Sequence, residues 1–324
     1  MNFRTMSSAS ILAVLLFFSA THASAATKKL TWAGCGISKN AFMAEMVAAY
    51  KKKTGIEIEL KGGGATKGIR EVASGEASIG GTCRHLIENP ETLTTVPEER
   101  RVQLTPVAWD ALVVIVHKDN PVNNITLDQL RRLYLGKIAN WKELGGRDAP
   151  IELYVRKGKI SGVGRTLREL VFNDYDIDFV AKHVVEESST LEKDMVTNPN
   201  GVGITGISSA RKLTDIAKIL NLNGKEPSYE NIKNGDYFLY RPLYMVTHMQ
   251  KLDPEIRKFV EFIMGSEGQR IMRSVGTVPY EDGIHLWLKY LDQQNKAIAK
   301  MHAKTSMLEN SPKRSKTSSQ AKTP

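Results

Sequence analysis

One of only two cysteines in the chain, Cys35, stands between Gly34 and Gly36 in the stretch LTWAGCGISKNAFMAEM, Leu30 to Met46. The stretch begins as a strand-like run, turns at the glycines, and continues as a helical run from Asn40. A helix that starts right after a glycine turn points its first backbone N–H groups outward without internal partners, which suits an anion. The same arrangement recurs in GGGATKG, Gly62 to Gly68, and in ISGVGRT, Ile160 to Thr166. Other chemistries are missing. No Gly-x-Ser-x-Gly elbow, His-Glu-x-x-His helix or paired-cysteine zinc spacing occurs. GGGATKG is not a Walker loop, because Ile69 rather than Lys follows Gly68. The seven histidines, among them His117 and His248, are scattered. These residues point to binding rather than catalysis, and no enzyme activity, cofactor or metal is expected.

The elements around these loops alternate strand-like and amphipathic runs, the pattern of an α/β protein with largely parallel sheets. KKLTWAG, IEIELKGGG, ASIGG, LVVIVHK, APIELYVR, GVGITGI and RPLYMVTH read as strands. The runs at Asn40 to Thr54, KGIREVASGE, TLDQLRRLYLG and GVGRTLRELVFN read as helices, as does PEIRKFVEFIMGSEGQRIMRSVG, closed by Gly276.

Residues 1–25 read as an export signal: Arg4, the apolar run Ile11 to Phe18, then Ala23-Ser24-Ala25. The apolar run is shorter than the roughly 20 residues of a membrane span. A soluble protein in the periplasm or another extracytoplasmic compartment is therefore expected. About 300 mature residues favour two domains over a single core. The formal charge of +10 is partly local, since residues 304–324 carry Lys304, Lys313, Arg314, Lys316 and Lys322 against Glu309. Rich in Ser, Thr, Lys and Pro, that stretch reads as a disordered tail. Export without a base-stacking motif argues against nucleic acid as a partner.

In order along the chain, these motifs resemble the phosphate-binding proteins of ABC transporters, in the two-lobed periplasmic binding superfamily, type II. The resemblance is carried by GGGATKGIREVASGEASIGGTCRHL, by ALVVIVHKDNPVNNITLDQLRRLYLGKIANWKELGG (Ala111 to Gly146), by ISGVGRTLRELVF, NPNGVGITGIS and YFLYRPLYMVTH, and by GSEGQRIMRSVGTVP. It implies two α/β lobes, each a mostly parallel sheet flanked by helices, joined by a two-strand hinge. Lobe one would hold residues 26–115 plus 241–303, and lobe two residues 116–240. GKIANWKELGG would be structural, with Trp141 packing a helix end.

The resemblance also implies a ligand set, from which this chain departs. Gly34, Gly36, Ile37 and Ser38 form the first loop, with Gly36 where the family has a hydroxyl. Gly64, Ala65 and Thr66 form the second, with Ala65 where the family has serine. Thr82, Cys83 and Arg84 form the third, with Cys83 in place of Asp or Ser. In lobe two, Arg156 stands near the family's arginine, and Ser161, Gly162 and Val163 match its Ser-Gly-Thr loop with Val163 for threonine. Arg165 lies close by. A hydrogen bond to a charged group is worth roughly 1.5–3 kcal/mol, so the missing hydroxyls imply weaker phosphate binding than the family norm. By the same resemblance Cys35 and Cys83 sit on neighbouring loops of lobe one, and in an oxidising compartment a disulfide between them is expected.

The residues alone leave plainer readings open. Gly62 to Gly64 also fits a simple turn, and Arg156 and Arg165 also fit exposed surface charges. The expected function is capture of a small anion, phosphate or another oxyanion, for uptake through an ABC permease by a monomeric protein. The alternatives are a structural or regulatory envelope component with the same fold, and a thiol or metal-binding protein using Cys35, Cys83 and His85.

Overall fold

The computed structural model describes residues 29–251 and 253–309. The expected export signal and residues 310–324 of the expected tail lie outside the described residues.

Ten strands form one sheet that runs through both lobes. We number them β1 (Leu30–Gly34), β2 (Ile58–Lys61), β3 (Ile79–Thr82), β4 (Val102–His117), β5 (Glu152–Arg156), β6 (His183–Val185), β7 (Gly201–Gly206), β8 (Ala217–Ile219), β9 (Tyr240–His248) and β10 (Val278–Pro279). The main path is β2-β1-β3-β9-β4-β7-β5-β6, with β8 and β10 also pairing to β4. β1 runs parallel to both β2 and β3, and β5 runs parallel to both β6 and β7. The two strands that link these parallel flanks, β4 and β9, lie antiparallel to each other, from Tyr240 opposite Ala111 to His248 opposite Val102. β4 pairs with β9 along its first part and with β7 beyond Leu112, so a single extended strand passes from one lobe to the other. β9 throughout and β4 from Val107 to Val116 are buried, which is why VVIV and LYMV read as continuous apolar runs rather than alternating ones.

Helices fill the faces. α1 (Ala44–Thr54) continues a helical run that starts at Gly36–Ser38 and passes through a π turn at Lys39–Met43. α2 (Gly64–Ser74) buries Ala65, Ile69, Val72 and Ala73, the stripe expected of a helix lying on a sheet. α3 spans Leu127–Tyr134, α4 Gly162–Leu167, α5 Ser188–Val196, α6 Pro254–Met264, α7 Ser266–Ser274 and α8 Leu286–Glu309. Trp141 is buried and its Nε1–H donates to the Asn200 carbonyl at 3.1 Å, which ties the turn after α3 to the start of β7.

α8 crosses both lobes. Near its start, Tyr290 packs on Trp109, within the aromatic cluster of Tyr240, Tyr280 and Trp287. Farther along, Ala297 and Met301 pack on Tyr175. The composition of residues 304–309 reads as solvated tail, yet these residues continue α8. Lys304 and Lys300 reach Asp174 at 2.7 and 3.2 Å, and the burial of Met301 anchors the turn between them.

The double glycine of β3 has a steric cause. A Cβ on Gly81 would sit 2.3 Å from the fully buried Trp32 indole, and one on Gly80 would meet the Ala33 and Gly68 carbonyls at 2.9 Å. Gly81→Ala is therefore expected to lower stability by about 1–3 kcal/mol, the usual cost of overpacking. Urea unfolding checks this, and an unchanged midpoint would show that the Trp32 ring can move aside.

Candidate functional site

Between the lobes lies a cavity of ≈ 260 Å³. It is smaller than the roughly 300–1,000 Å³ of pockets for drug-sized ligands, so it suits a small ion. Four helical N-termini open onto it, two from each lobe. In lobe one these are Gly36 with Ile37, and Gly64 with Ala65; in lobe two they are Gly162 with Val163, and Ser188 with Ser189. Gly63 and Gly64 take φ of +121° and +90°, which turns the chain sharply out of β2 into α2. With their dipoles converging, the four termini make the cavity attractive to negative charge.

Arg156, Lys39 and Asn40 also line the cavity. The Arg156 guanidinium is held by the Ser188 hydroxyl at 2.6 Å and by the Glu186 carbonyl. Its Nε–H is buried without a protein partner. Set against these donors are the carboxyls of Glu187 and Glu192. Burial pushes the Glu192 carboxyl above its ordinary range, opposed by hydrogen bonds from Thr205 and Ser209 and by the charge of Arg156.

Of the residues read from the sequence, Gly36, Ile37, Gly64, Ala65, Cys83, Arg156, Gly162 and Val163 line the cavity together with Cys35. Gly34, Ser38, Thr66, Thr82, Arg84 and Ser161 do not, and each has a local task instead. Gly34 sits under the Trp32 ring. Ser38 bonds the Cys35 sulfur, the Thr82 hydroxyl donates to the Arg84 carbonyl at 3.1 Å, and Ser161 caps α4 through the Gly164 N–H at 3.2 Å. Thr66 and Arg84 belong to the seam between the lobes. Arg165 stacks on the Tyr175 ring at 3.8 Å and is buried away from the cavity. The segment around α5 escaped the sequence reading. Its only signal is the run Ser188-Ser189-Thr190 ahead of Leu191, a common start for a helix.

The disulfide implied by the resemblance is not what the structure holds. Cys35 and Cys83 are free, buried thiols that line the same cavity. The reason is local: the Cys35 sulfur is turned to cap the following helix, accepting the Ser38 N–H at 3.3 Å and meeting its hydroxyl at 3.0 Å. Burial raises the Cys35 thiol, but the hydrogen bonds from Cys83 and Ser38 and the charge of Arg241 outweigh it and bring Cys35 down to about 7. The hydrogen bond to Cys35 and burial push Cys83 well up.

A largely buried polar seam holds the lobes together beside the cavity. Arg84 grips Glu99 with both guanidinium nitrogens, at 2.8 and 3.0 Å, and donates its Nε–H across the lobes to the Ile160 carbonyl at 3.0 Å. The Thr66 hydroxyl donates to the same carbonyl at 2.9 Å. Arg241 donates to the carbonyls of Cys83 and Gly162, each at 3.3 Å, and pairs with Asp110 at 3.4 Å. The Thr166 hydroxyl reaches the Cys83 carbonyl at 3.2 Å.

At Gly162 the lobes touch most tightly. A Cβ there would meet the Cys83 sulfur at 2.4 Å and the Ala65 Cβ at 3.0 Å. Gly162→Ala should wedge the lobes apart, enlarge the radius of gyration measured by X-ray scattering, and weaken ligand binding more than tenfold, or about 1.4 kcal/mol. Unchanged scattering and affinity would mean that the ligand-bound state is more open than this one.

The seam also holds a titratable cluster. Glu169 Oε2 accepts from the Tyr175 hydroxyl at 2.8 Å and lies 3.2 Å from His85 Nδ1, while Tyr290, Arg165, Arg241 and Tyr244 face it from other elements. Burial pushes Glu169 up to about 7 and pushes His85 well down, where Arg165 and Arg84 add to the effect. A carboxyl raised on folding favours the native state below its unfolded value of 4.5 and loses that contribution as the pH climbs through 7. A histidine lowered on folding does the reverse, losing stability as the pH falls below 6.5. The two slopes oppose each other between about pH 5 and 6.5. In Glu169→Gln only the histidine slope remains, so unfolding free energy should rise with pH there, by at most about 1.4 kcal/mol per pH unit, while the parent stays flatter. Parallel curves from denaturant titrations would discount the coupling.

A family model described as a PBP superfamily domain matches residues 19–267. The phosphate-binding protein PstS of Borreliella burgdorferi is 26% identical over 258 residues, 77% of this chain and 89% of the relative. The protein of that name from Bacillus subtilis is 26% identical over 263 residues, 79% of this chain and 82% of the relative. Among solved structures, a Clostridium perfringens protein assigned as a phosphate ABC transporter substrate-binding protein, with bound phosphate, aligns with TM-score 0.69 at 28% identity. The match spans 78% of this chain and 99% of that one.

Proposed function

Because this chain belongs to the PBP superfamily, we propose that it is a non-catalytic, extracytoplasmic solute-binding protein that captures a small oxyanion between its lobes and presents it to an ABC-type permease. The observation that carries the reading is the convergence of four helical N-termini, two from each lobe, on one small cavity with the buried, unpartnered Nε–H of Arg156. A ligand touching both lobes favours the closed state by its differential affinity, and the donors here are divided between the lobes in that way. The partition of lobes at the β4 and β9 crossovers, near residues 115 and 241, fits such a motion, because two extended segments absorb closure in a few backbone dihedrals. No described helix is long and apolar enough to cross a membrane, and the relatives named above are phosphate-binding proteins.

The chemistry of the cavity narrows the ligand. Glu187 and Glu192 facing the site disfavour an anion that offers only acceptors, and favour one that still carries a proton to donate to them. Hydrogen phosphate and similar protonated oxyanions meet this condition, and sulfate does not. Gly36, Ala65 and Val163 bring no hydroxyl to the cavity, so backbone N–H groups and Arg156 carry the recognition and phosphate binds more weakly than in members with a full hydroxyl set.

Calorimetry against phosphate, sulfate, arsenate and molybdate tests this. Phosphate or arsenate should bind in the micromolar to millimolar range and sulfate more weakly. In Arg156→Met binding should fall by roughly 1.5–3 kcal/mol, the value of a hydrogen bond to a charged group, while the melting temperature of the ligand-free protein changes little. No binding to any member of the panel would sink the proposal. Equal losses of affinity and stability in Arg156→Met would move that arginine to a structural role.

A further inference from the structure

The anion reading leaves two cavity groups unused, since a thiol is a weak hydrogen-bond donor. Cys35 and Cys83 are the chain's only cysteines. Although 48 positions apart, both are buried and both line the cavity, Cys35 at the end of β1, where its N–H donates to the Gly81 carbonyl of β3 at 3.1 Å, two residues before Cys83. Ser38 supports Cys35 through its N–H and hydroxyl. The charge of the fully buried Arg241 acts on both sulfurs. Across the gap the Cys83 sulfur faces the bare backbone of Gly162.

We propose that Cys35 and Cys83 form a two-coordinate site for a soft monovalent cation of the Cu(I) class. Thiolate sulfur selects soft ions. Among the described residues no group of three or more Cys, His, Asp or Glu side chains is placed to hold a metal, which disfavours zinc with its four ligands; a linear d¹⁰ ion is satisfied by two. Charge points the same way. Two thiolates and a monovalent cation leave one net negative charge, which the converging helix dipoles and Arg156 favour against the facing carboxylates of Asp110, Glu187 and Glu192, whereas a divalent ion leaves a neutral complex that gains nothing from those dipoles. On binding, each S–H bond gives its proton to solvent and each sulfur donates an electron pair into a Cu–S bond. Two protons leave, copper stays Cu(I), and no oxidant or reductant is consumed. Because two protons are released, affinity rises with pH.

This goes beyond the anion reading while using the same cavity. The test is an anaerobic titration of the reduced, metal-free protein with Cu(I) in competition with bicinchoninate, followed by thiol alkylation and mass spectrometry. One Cu(I) per chain is expected, with both cysteines protected from alkylation. Cys35→Ser and Cys83→Ser should each weaken binding by more than the roughly 100-fold that loss of an outer-shell partner costs. Uptake no greater than that of the doubly substituted Cys35→Ser/Cys83→Ser protein, or thiols that alkylate equally with and without Cu(I), would overturn the proposal. Thiol protection is read on the parent protein, so the result stands even where a variant fails to fold. Phosphate calorimetry on the metal-free protein keeps the readings apart, because its failure alongside intact Cu(I) uptake removes only the oxyanion proposal.

Discussion

The cavity depends on the docking of the loop at Ile160 to Gly162 against lobe one. Three groups of lobe one, the buried Arg84 and Arg241 and the half-buried Thr66, donate to the carbonyls of Ile160 and Gly162. Without that seam the four helical N-termini would face water, where solvent and salt screen their partial charges. With it, they converge on one small cleft, where fixed dipoles and one guanidinium act together on an ion. The seam in turn relies on Glu99, whose carboxylate fixes the Arg84 fork and spares the protein an uncompensated buried charge.

The site is not simply positive. Arg156, Lys39 and the helix termini are balanced by Glu187 and Glu192, and Arg241 by Asp110. Such balance favours selectivity over raw attraction, because a ligand must supply a donor as well as acceptors. Two thiols, Gly36, Ala65 and Val163 line the cavity beside the helix termini, so it carries sulfur that a purely oxygen-lined site lacks.

α8 adds a constraint from outside the family domain. The matched domain ends at residue 267, while α8 starts at Leu286, packs on Trp109 in one lobe, and reaches Tyr175 and Asp174 in the other. Any opening of the cleft has to bend, slide or release this helix. The ion pairs of Lys300 and Lys304 with Asp174 are half-exposed and individually weak, and the buried Ala297 and Met301 hold the end of α8 more firmly.

Local chemistry was enough to read the α/β alternation, the glycine turns before the helices at Gly36, Gly64 and Gly162, and the likeness to phosphate-binding proteins. The first two rest on short-range rules, periodicity, glycine turns and helix capping, and the likeness on the order of whole motifs along the chain. Long-range packing decided the rest. Ser161, Thr82 and Ser38 look like ligand hydroxyls in the sequence, yet their oxygens serve neighbouring backbone or the Cys35 sulfur, because those partners are only two or three residues away. Thr66 and Arg84 look like ligands too, but the Ile160 carbonyl, brought by the other lobe, claims both. Ser188 carries little signal on its own and enters the site only because β5 sets Arg156 beside the start of α5. The two cysteines were legible as neighbours through the family resemblance, whereas their state as thiols was not, since the direction of the Cys35 sulfur is set by the helix turn it caps.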